Sequence, residues 1–167
     1  MIAAVDAAYA DTHAFAAVVA FADWSAGSVA EEHVVRVDGI APYTPGAFFL
    51  RELPCALAVL RKLTGAVDVV VVDGYVWLSA ERPGYGARLH DALHTRVAVV
   101  GVAKTRFKGA AAVEVQRGKS ARPLFVTAAG IDVARAAAGV RAMDGAARIP
   151  SMIARADRLC RDALSSG

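Results

Sequence analysis

VDVVVVDGYVW, residues 67–77, carries four consecutive valines straight into Asp73 and Gly74 and then into Tyr75 and Trp77. An unbroken β-branched run of this kind, closed by an Asp-Gly turn signal, reads as a strand buried on both faces of a sheet. A charge at the end of such a strand is costly unless something binds it. Open α/β sheets hold their ligands at the carboxyl ends of parallel strands, which makes Asp73 the first candidate functional residue.

Upstream lie three strand-like stretches, IAAVDAAYA at 2–10, AFAAVVAFAD at 14–23 and SVAEEHVVRVD at 28–38. The short turn signals ADTH and WSAG between them predict consecutive antiparallel hairpins. A helix is predicted over 45–63, where Phe49, Leu53, Ala56, Leu57 and Leu60 recur at helical spacing. Downstream the reading is strand 67–72, helix near 84–94, and the strand RVAVVGVA leading to Lys104. Two strand-like pieces follow, AAVEVQ and RPLFVT, then a helix near 131–143 and another over 150–164, with Pro150 where a first helical turn accepts it. Three antiparallel strands, a helix and then alternating elements predict an α/β protein: a mixed sheet, antiparallel first and parallel after, with helices on both faces. That order is compatible with a ribonuclease H-like fold. No linker, repeat or low-complexity block divides the chain, so one domain is expected over 1–167.

With 56% hydrophobic residues among 167, the chain has the material for a sizeable core. The longest uncharged apolar stretch, AFAAVVAFA at 14–22, is too short to cross a bilayer, and no basic flank precedes the first apolar residues. A cytoplasmic protein without a membrane partner is expected, acting as a monomer. Cys55 and Cys160 have no CxxC or His companion at ligand spacing, which predicts reduced core thiols and no structural zinc. Nineteen Lys plus Arg against 16 Asp plus Glu permit a nucleic-acid partner without demanding one.

Four acidic residues fall where acids are unexpected. Asp6 interrupts the first strand between Val5 and Ala7. Glu52 lies three residues after Phe49 and four before Ala56, on the apolar stripe of its helix, and Asp157 holds the same relation to Ile153 and Cys160. With Asp73 they suggest one site, since a lone inward carboxylate is usually a salt-bridged structural residue. Hard divalent cations need oxygen ligands, so Asp6, Glu52, Asp73 and Asp157 are candidate ligands for Mg²⁺ or Mn²⁺, of the kind that drives phosphodiester hydrolysis. Lys104, at the end of its strand, is placed to neutralise a phosphate at the same edge.

In order along the chain, VDAAY (5–9), PYTPGAFFLRELP (42–54), VDVVVVDG (67–74), GVAK (101–104), RPLFVT (122–127) and RIPSMIARAD (148–157) resemble the endonuclease V family. The resemblance implies a ribonuclease H-like fold and Mg²⁺-dependent cleavage at the second phosphodiester on the 3′ side of a deaminated base, typically inosine, in DNA or RNA. It assigns Asp6, Glu52 and Asp73 as catalytic carboxylates, Asp157 as a further position near the metals, and Lys104 as the phosphate-contacting lysine. Pro42, Tyr43, Thr44 and Pro45 match the wedge of the family, in which Tyr43 stacks where the lesion base has left the helix. Aromatic stacking suits that task because it needs no particular sequence. Gly46, Gly74 and Gly84 match pocket glycines, and Phe48 a pocket wall.

The chain also departs from the family pattern, in which the Asp-Gly pair continues through a second glycine to Ala-His-Pro. Residues 73–84 read DGYVWLSAERPG, with Val76 and Ser79 at the glycine and histidine positions. Serine hydrogen-bonds a water or phosphate but cannot carry a proton near neutral pH as imidazole does. His90 and His94 do not occupy the matching position and are expected at the surface. Tyr75, Val76 and Trp77 replace smaller residues beside the pocket, which predicts an altered base preference. Two other readings stay open at this level: a related metal nuclease with a different substrate, and a catalytically silent nucleic-acid-binding module.

Overall fold

The computed structural model describes residues 1–42, 44–45 and 47–167. The chain runs β1 (Ile2–Tyr9), β2 (His13–Phe21), β3 (Glu31–Asp38), α1 (Phe49–Leu60), β4 (Val69–Asp73), β5 (Trp77–Ser79), β6 (Arg82–Pro83), α2 (Tyr85–Ala92), β7 (Ala98–Ala103), β8 (Val113–Val115), β9 (Leu124–Ala129), α3 (Val133–Ala142) and α4 (Ser151–Ser166). Seven strands form one mixed sheet in the order β3-β2-β1-β4-β7-β9-β8. β1, β2 and β3 pair antiparallel, and β1, β4 and β7 pair parallel, the ribonuclease H-like arrangement expected from the sequence. β9 and β8 then return antiparallel at the far edge.

Helices cover both faces. Ile2 and Ala4 of β1, Val69 and Val71 of β4, and Val100 and Val102 of β7 pack in one core with α3 and α4. The alternate residues Ala3, Val5, Val70, Val72 and Val99 pack in a second core with Cys55, Ala56 and Val59 of α1 and Ala87 and Leu89 of α2. This period of two follows from the pleat. Its continuation past the last buried valine decides where the polar residues point.

The helix predicted over 45–63 is shorter at both ends, spanning Phe49–Leu60. α1 begins at Phe49, not at 45: ahead of it Ala47 N–H donates to Thr44 O and Leu50 N–H to Ala47 O, each at 3.0 Å. Pro54 lies on the exposed side of α1, opposite the buried Cys55, Ala56 and Val59. The β5–β6 hairpin was not foreseen from the sequence, since elements of three and two residues are too short to show a period and Pro83 reads as a breaker. Cys55 and Cys160 are buried free thiols, as expected. Among the described residues no helix is long and apolar enough to cross a membrane.

Candidate active site

Val5 pairs with Val72 in parallel register, so Asp6 and Asp73 each stand one residue beyond the last pair of adjacent strands. Both continue the series Ile2, Ala4 and Val69, Val71 that faces α3 and α4. Lys104 continues Val100 and Val102 in the same way from β7, and its Nζ donates to Asp73 Oδ2 at 2.5 Å. Glu52 arrives from the opposite face, on the first turn of α1. It meets Asp6 and Asp73 over the sheet edge, where the three carboxylates line a cleft of about 310 Å³ with Val5, Ala7, Tyr9, Phe48, Ala56 and Tyr85. Asp157 comes from α4 and is bridged to Arg161 at 2.8 Å; its charge acts on Asp6, although it does not line the cleft.

The electrostatics are those of crowded acids. Burial pushes the Glu52 carboxyl up to about 8, with the neighbouring Asp6 and Asp73 charges adding to the effect. Burial likewise raises Asp6 to about 6; the Ala7 N–H, donating at 2.8 Å, opposes it, and Asp73 and Asp157 reinforce it. Arg51, next to Glu52 in sequence, does not neutralise it. Its guanidinium stacks 4.6 Å from the Tyr9 ring centroid and donates to Ala10 O.

Among the described residues no three His, Cys, Asp or Glu side chains converge tightly enough to coordinate one ion as they stand. Asp73 is drawn to Lys104 and Asp157 to Arg161. The donor set nevertheless fits a hard divalent cation: carboxylate oxygens, like charges that a cation would relieve, and no soft ligand, since burial pushes the Cys55 thiol up to about 11.

A second cleft of about 370 Å³ adjoins the first through Phe48, Glu52 and Tyr85. Phe49, Leu78, Pro83, Gly84 and Phe107 supply its apolar walls, with Arg82 and Arg88 at its polar side. Arg88 is held over the Phe49 ring at 3.8 Å. Tyr85, whose phenol burial keeps neutral, walls both clefts.

Of the remaining candidates, Gly74 has φ +133°, open to glycine, directly after Asp73. Gly84 lines the aromatic cleft, but a Cβ there would lie 2.4 Å from Tyr75 O, so the backbone of the hairpin already requires glycine. Pro42, Thr44 and Pro45 are exposed and line neither cleft. Tyr43 and Gly46 lie outside the described residues.

Several expectations are corrected. Tyr75, Val76 and Trp77 do not line either cleft. Val76 is core, its N–H donating to Thr127 Oγ1 at 2.8 Å, and the Tyr75 hydroxyl donates to Thr105 O while accepting from Phe107 N–H. Ser79 and Trp77 line a separate cleft with Ala80, Ala111, Thr127, Ala128 and Val133. His94 is exposed as expected, but His90 is half-buried, its Nε2 enclosed against Gly130, where a Cβ would approach to 2.7 Å. Two residues of the site's frame escaped the sequence reading, Arg117 and Arg148, because their partners are backbone carbonyls.

A family model described as Endonuclease V matches residues 1–137, and Endonuclease V of Streptomyces coelicolor is 34% identical over 187 aligned positions, spanning 98% of this chain and 78% of the relative. The chain belongs to the endonuclease V family. Endonuclease V of Nocardia farcinica is 31% identical, with 98% of this chain and 80% of the relative aligned. The crystal structure of Endonuclease V from Streptomyces avermitilis gives a TM-score of 0.82 at 28% identity, covering 99% of this chain and 81% of that one. Endonuclease V of Ciona intestinalis, crystallised with a 24mer DNA containing an inosine followed by a ribo-adenosine, shares the fold with a TM-score of 0.82 at 18% identity, over 99% of this chain and 86% of that one. Membership places the chain among nucleases, which are hydrolases. The endonuclease V model match ends within α3, short of Asp157.

Proposed function

We propose that this endonuclease V family member hydrolyses a phosphodiester bond on the 3′ side of a deaminated base, inosine first, in DNA or RNA, with Mg²⁺ or Mn²⁺ as cofactor. The observation that carries the reading is the meeting of Asp6, Glu52 and Asp73 on one cleft that opens, past Phe48 and Tyr85, into an aromatic one. The inosine-containing DNA bound by the Ciona relative supports the substrate class.

In this reading Asp6, Glu52 and Asp73, with Asp157 behind Asp6, are the residues that hold the metal. A divalent ion there supplies an activated water and stabilises charge on the leaving oxygen. Lys104 brings a positive charge to the scissile phosphate at the same edge. Phe48 and Tyr85 wall both clefts beside Glu52, a position suited to stacking an extruded base. Pro42, Tyr43, Thr44 and Pro45 keep the wedge role, with Tyr43 filling the gap, and Gly46, Gly74 and Gly84 leave room for the base.

The test is cleavage of labelled single-stranded DNA and RNA, each with one inosine or its unmodified counterpart, in Mg²⁺ and Mn²⁺, with Asp73→Asn as control. Inosine-dependent cutting one nucleotide beyond the lesion, lost in the variant, is expected. No cutting with metal binding retained would assign a different substrate. No metal binding either would leave a silent nucleic-acid-binding module.

A further inference from the structure

The ladder between β7 and β9 stops at the pair Ala103–Phe125. One side chain closes the open end beyond it. Arg148 Nη2 donates to the carbonyl of Lys104 and, at 2.9 Å, to that of Pro123, the residue just before the neighbouring strand. Pro123 has no N–H with which to extend the ladder itself. Arg148 is half-buried, its Nε is enclosed without a partner, and it forms no ion pair among the described residues. A planar guanidinium anchored on two main-chain oxygens fixes their separation more tightly than a flexible ammonium would.

Arg148 also stands two residues before Pro150, which caps α4, the helix that carries Asp157. The segment it springs from is clamped in turn. Arg117, buried, donates to the carbonyls of Val140, Arg141, Asp144 and Gly145, holding the end of α3 and the turn that leads to Arg148. The path from the clamp to the cleft is therefore continuous: Arg117, the 144–148 segment, Arg148, the Lys104 main chain, and the Lys104 ammonium on Asp73.

We propose that Arg148 is a positioning residue for Lys104: by holding the Lys104 carbonyl it aims the ammonium at Asp73 and the scissile phosphate, and it registers that strand end to the helix bearing Asp157. The proposal rests on the reading of Lys104 as the phosphate-neutralising group.

The experiment measures single-turnover cleavage of an inosine-containing oligonucleotide in Mn²⁺ by Arg148→Gln and Arg148→Lys, each alone and combined with Lys104→Met. Arg148→Gln is expected to lower the rate roughly ten- to a hundredfold with substrate affinity within about twofold. Arg148→Lys should recover part of the loss. In the Lys104→Met background Arg148→Gln should change the rate by less than about twofold, because the residue acts through Lys104. A full loss in that background, or no loss in the single variant, overturns the proposal.

A second readout needs no turnover. Lys62, Lys104, Lys108 and Lys119 are the lysines of the chain, so reductive ¹³C-methylation gives a short NMR spectrum in which Lys104→Met assigns the Lys104 signal. That signal should be distinct in the parent protein, move toward the exposed Lys62 signal in Arg148→Gln, and lie between them in the charge-retaining Arg148→Lys. An unmoved signal overturns the proposal. If the parent protein cuts nothing, the nuclease reading fails while the spectra still decide the role of Arg148.

Discussion

Lys104 Nζ donates to the Asp73 carboxylate at 2.5 Å, whereas Asp6 and Glu52, on the same cleft, form no ion pair among the described residues. The two unpaired acids carry raised pKa values, Glu52 from 4.5 to about 8 and Asp6 from 3.8 to about 6. The folded state therefore holds more protons than the unfolded chain between the ordinary and raised values, and stability falls as pH rises through that window. The Tm of the metal-free protein should drop as pH goes from about 5 to about 8, and Mn²⁺ should restore it at pH 8 but not at pH 5, where Asp6 and Glu52 are protonated. Calorimetry with and without metal checks both signs.

Asp73→Asn separates function from stability. The Lys104 pair it breaks is about 44% and 34% exposed at the two side chains. A pair so exposed is worth at most about 1 kcal/mol. Against that small loss stands the removal of a charge that repels Asp6 and Glu52. The metal-free Tm should hold or rise while cleavage falls on the order of a hundredfold or more. A large drop in Tm would make Asp73 a structural residue instead.

Restoring the histidine of the family pattern should not raise the rate. Ser79 lines a cleft that shares no residue with the carboxylate cleft. Ser79→His should leave single-turnover cleavage within about twofold of the parent, far below the hundredfold or greater gain expected of a working general acid or base. A gain of that size would place residue 79 at the chemistry.

Gly101 is the point where the segment after Asp73 folds back on the sheet. A Cβ there would lie 2.5 Å from Gly74 O and 2.9 Å from both Thr127 Oγ1 and Val76 N. Gly101→Ala should cost about 1–3 kcal/mol, as overpacking does. Cleavage should fall with it, because the displaced backbone carries Asp73. Denaturant melts and rates on the same variant should move together.

Arg117→Met should be the most destabilising change in this set. It leaves four carbonyls without their donor. The expected loss is above about 3 kcal/mol, or roughly 6 °C or more in Tm for a chain of this length. A loss below about 1 kcal/mol would show that water replaces the guanidinium.

What could be read from the sequence was what periodicity writes into it. The valines of β4 and the inward slots of Glu52 and Asp157 follow the two repeats of strand and helix, so the sheet and its acidic edge could be inferred from residue spacing. Arg117 and Arg148 could not be inferred, because a guanidinium that binds main-chain oxygens has no complementary residue to betray it. Val76 escapes the repeat for a related reason: its burial comes from a fold-back over Gly101 that no periodicity announces. His90 was misjudged because Gly130, which makes room for its ring, lies forty residues away in sequence.

The alternation that places Asp6, Asp73 and Lys104 on one side of the sheet also sets how the protein can change. Each is the next step of a buried series, Ile2–Ala4, Val69–Val71 and Val100–Val102. A substitution within these strands leaves the count intact, and a loop can lengthen or shrink without altering it. One residue inserted or deleted between the last buried valine and its polar successor would turn that side chain through the sheet to the α1 side. The side-chain directions are thus insensitive to most substitutions and sensitive to any shift of frame, so a change of length is borne best in the turns between the strands.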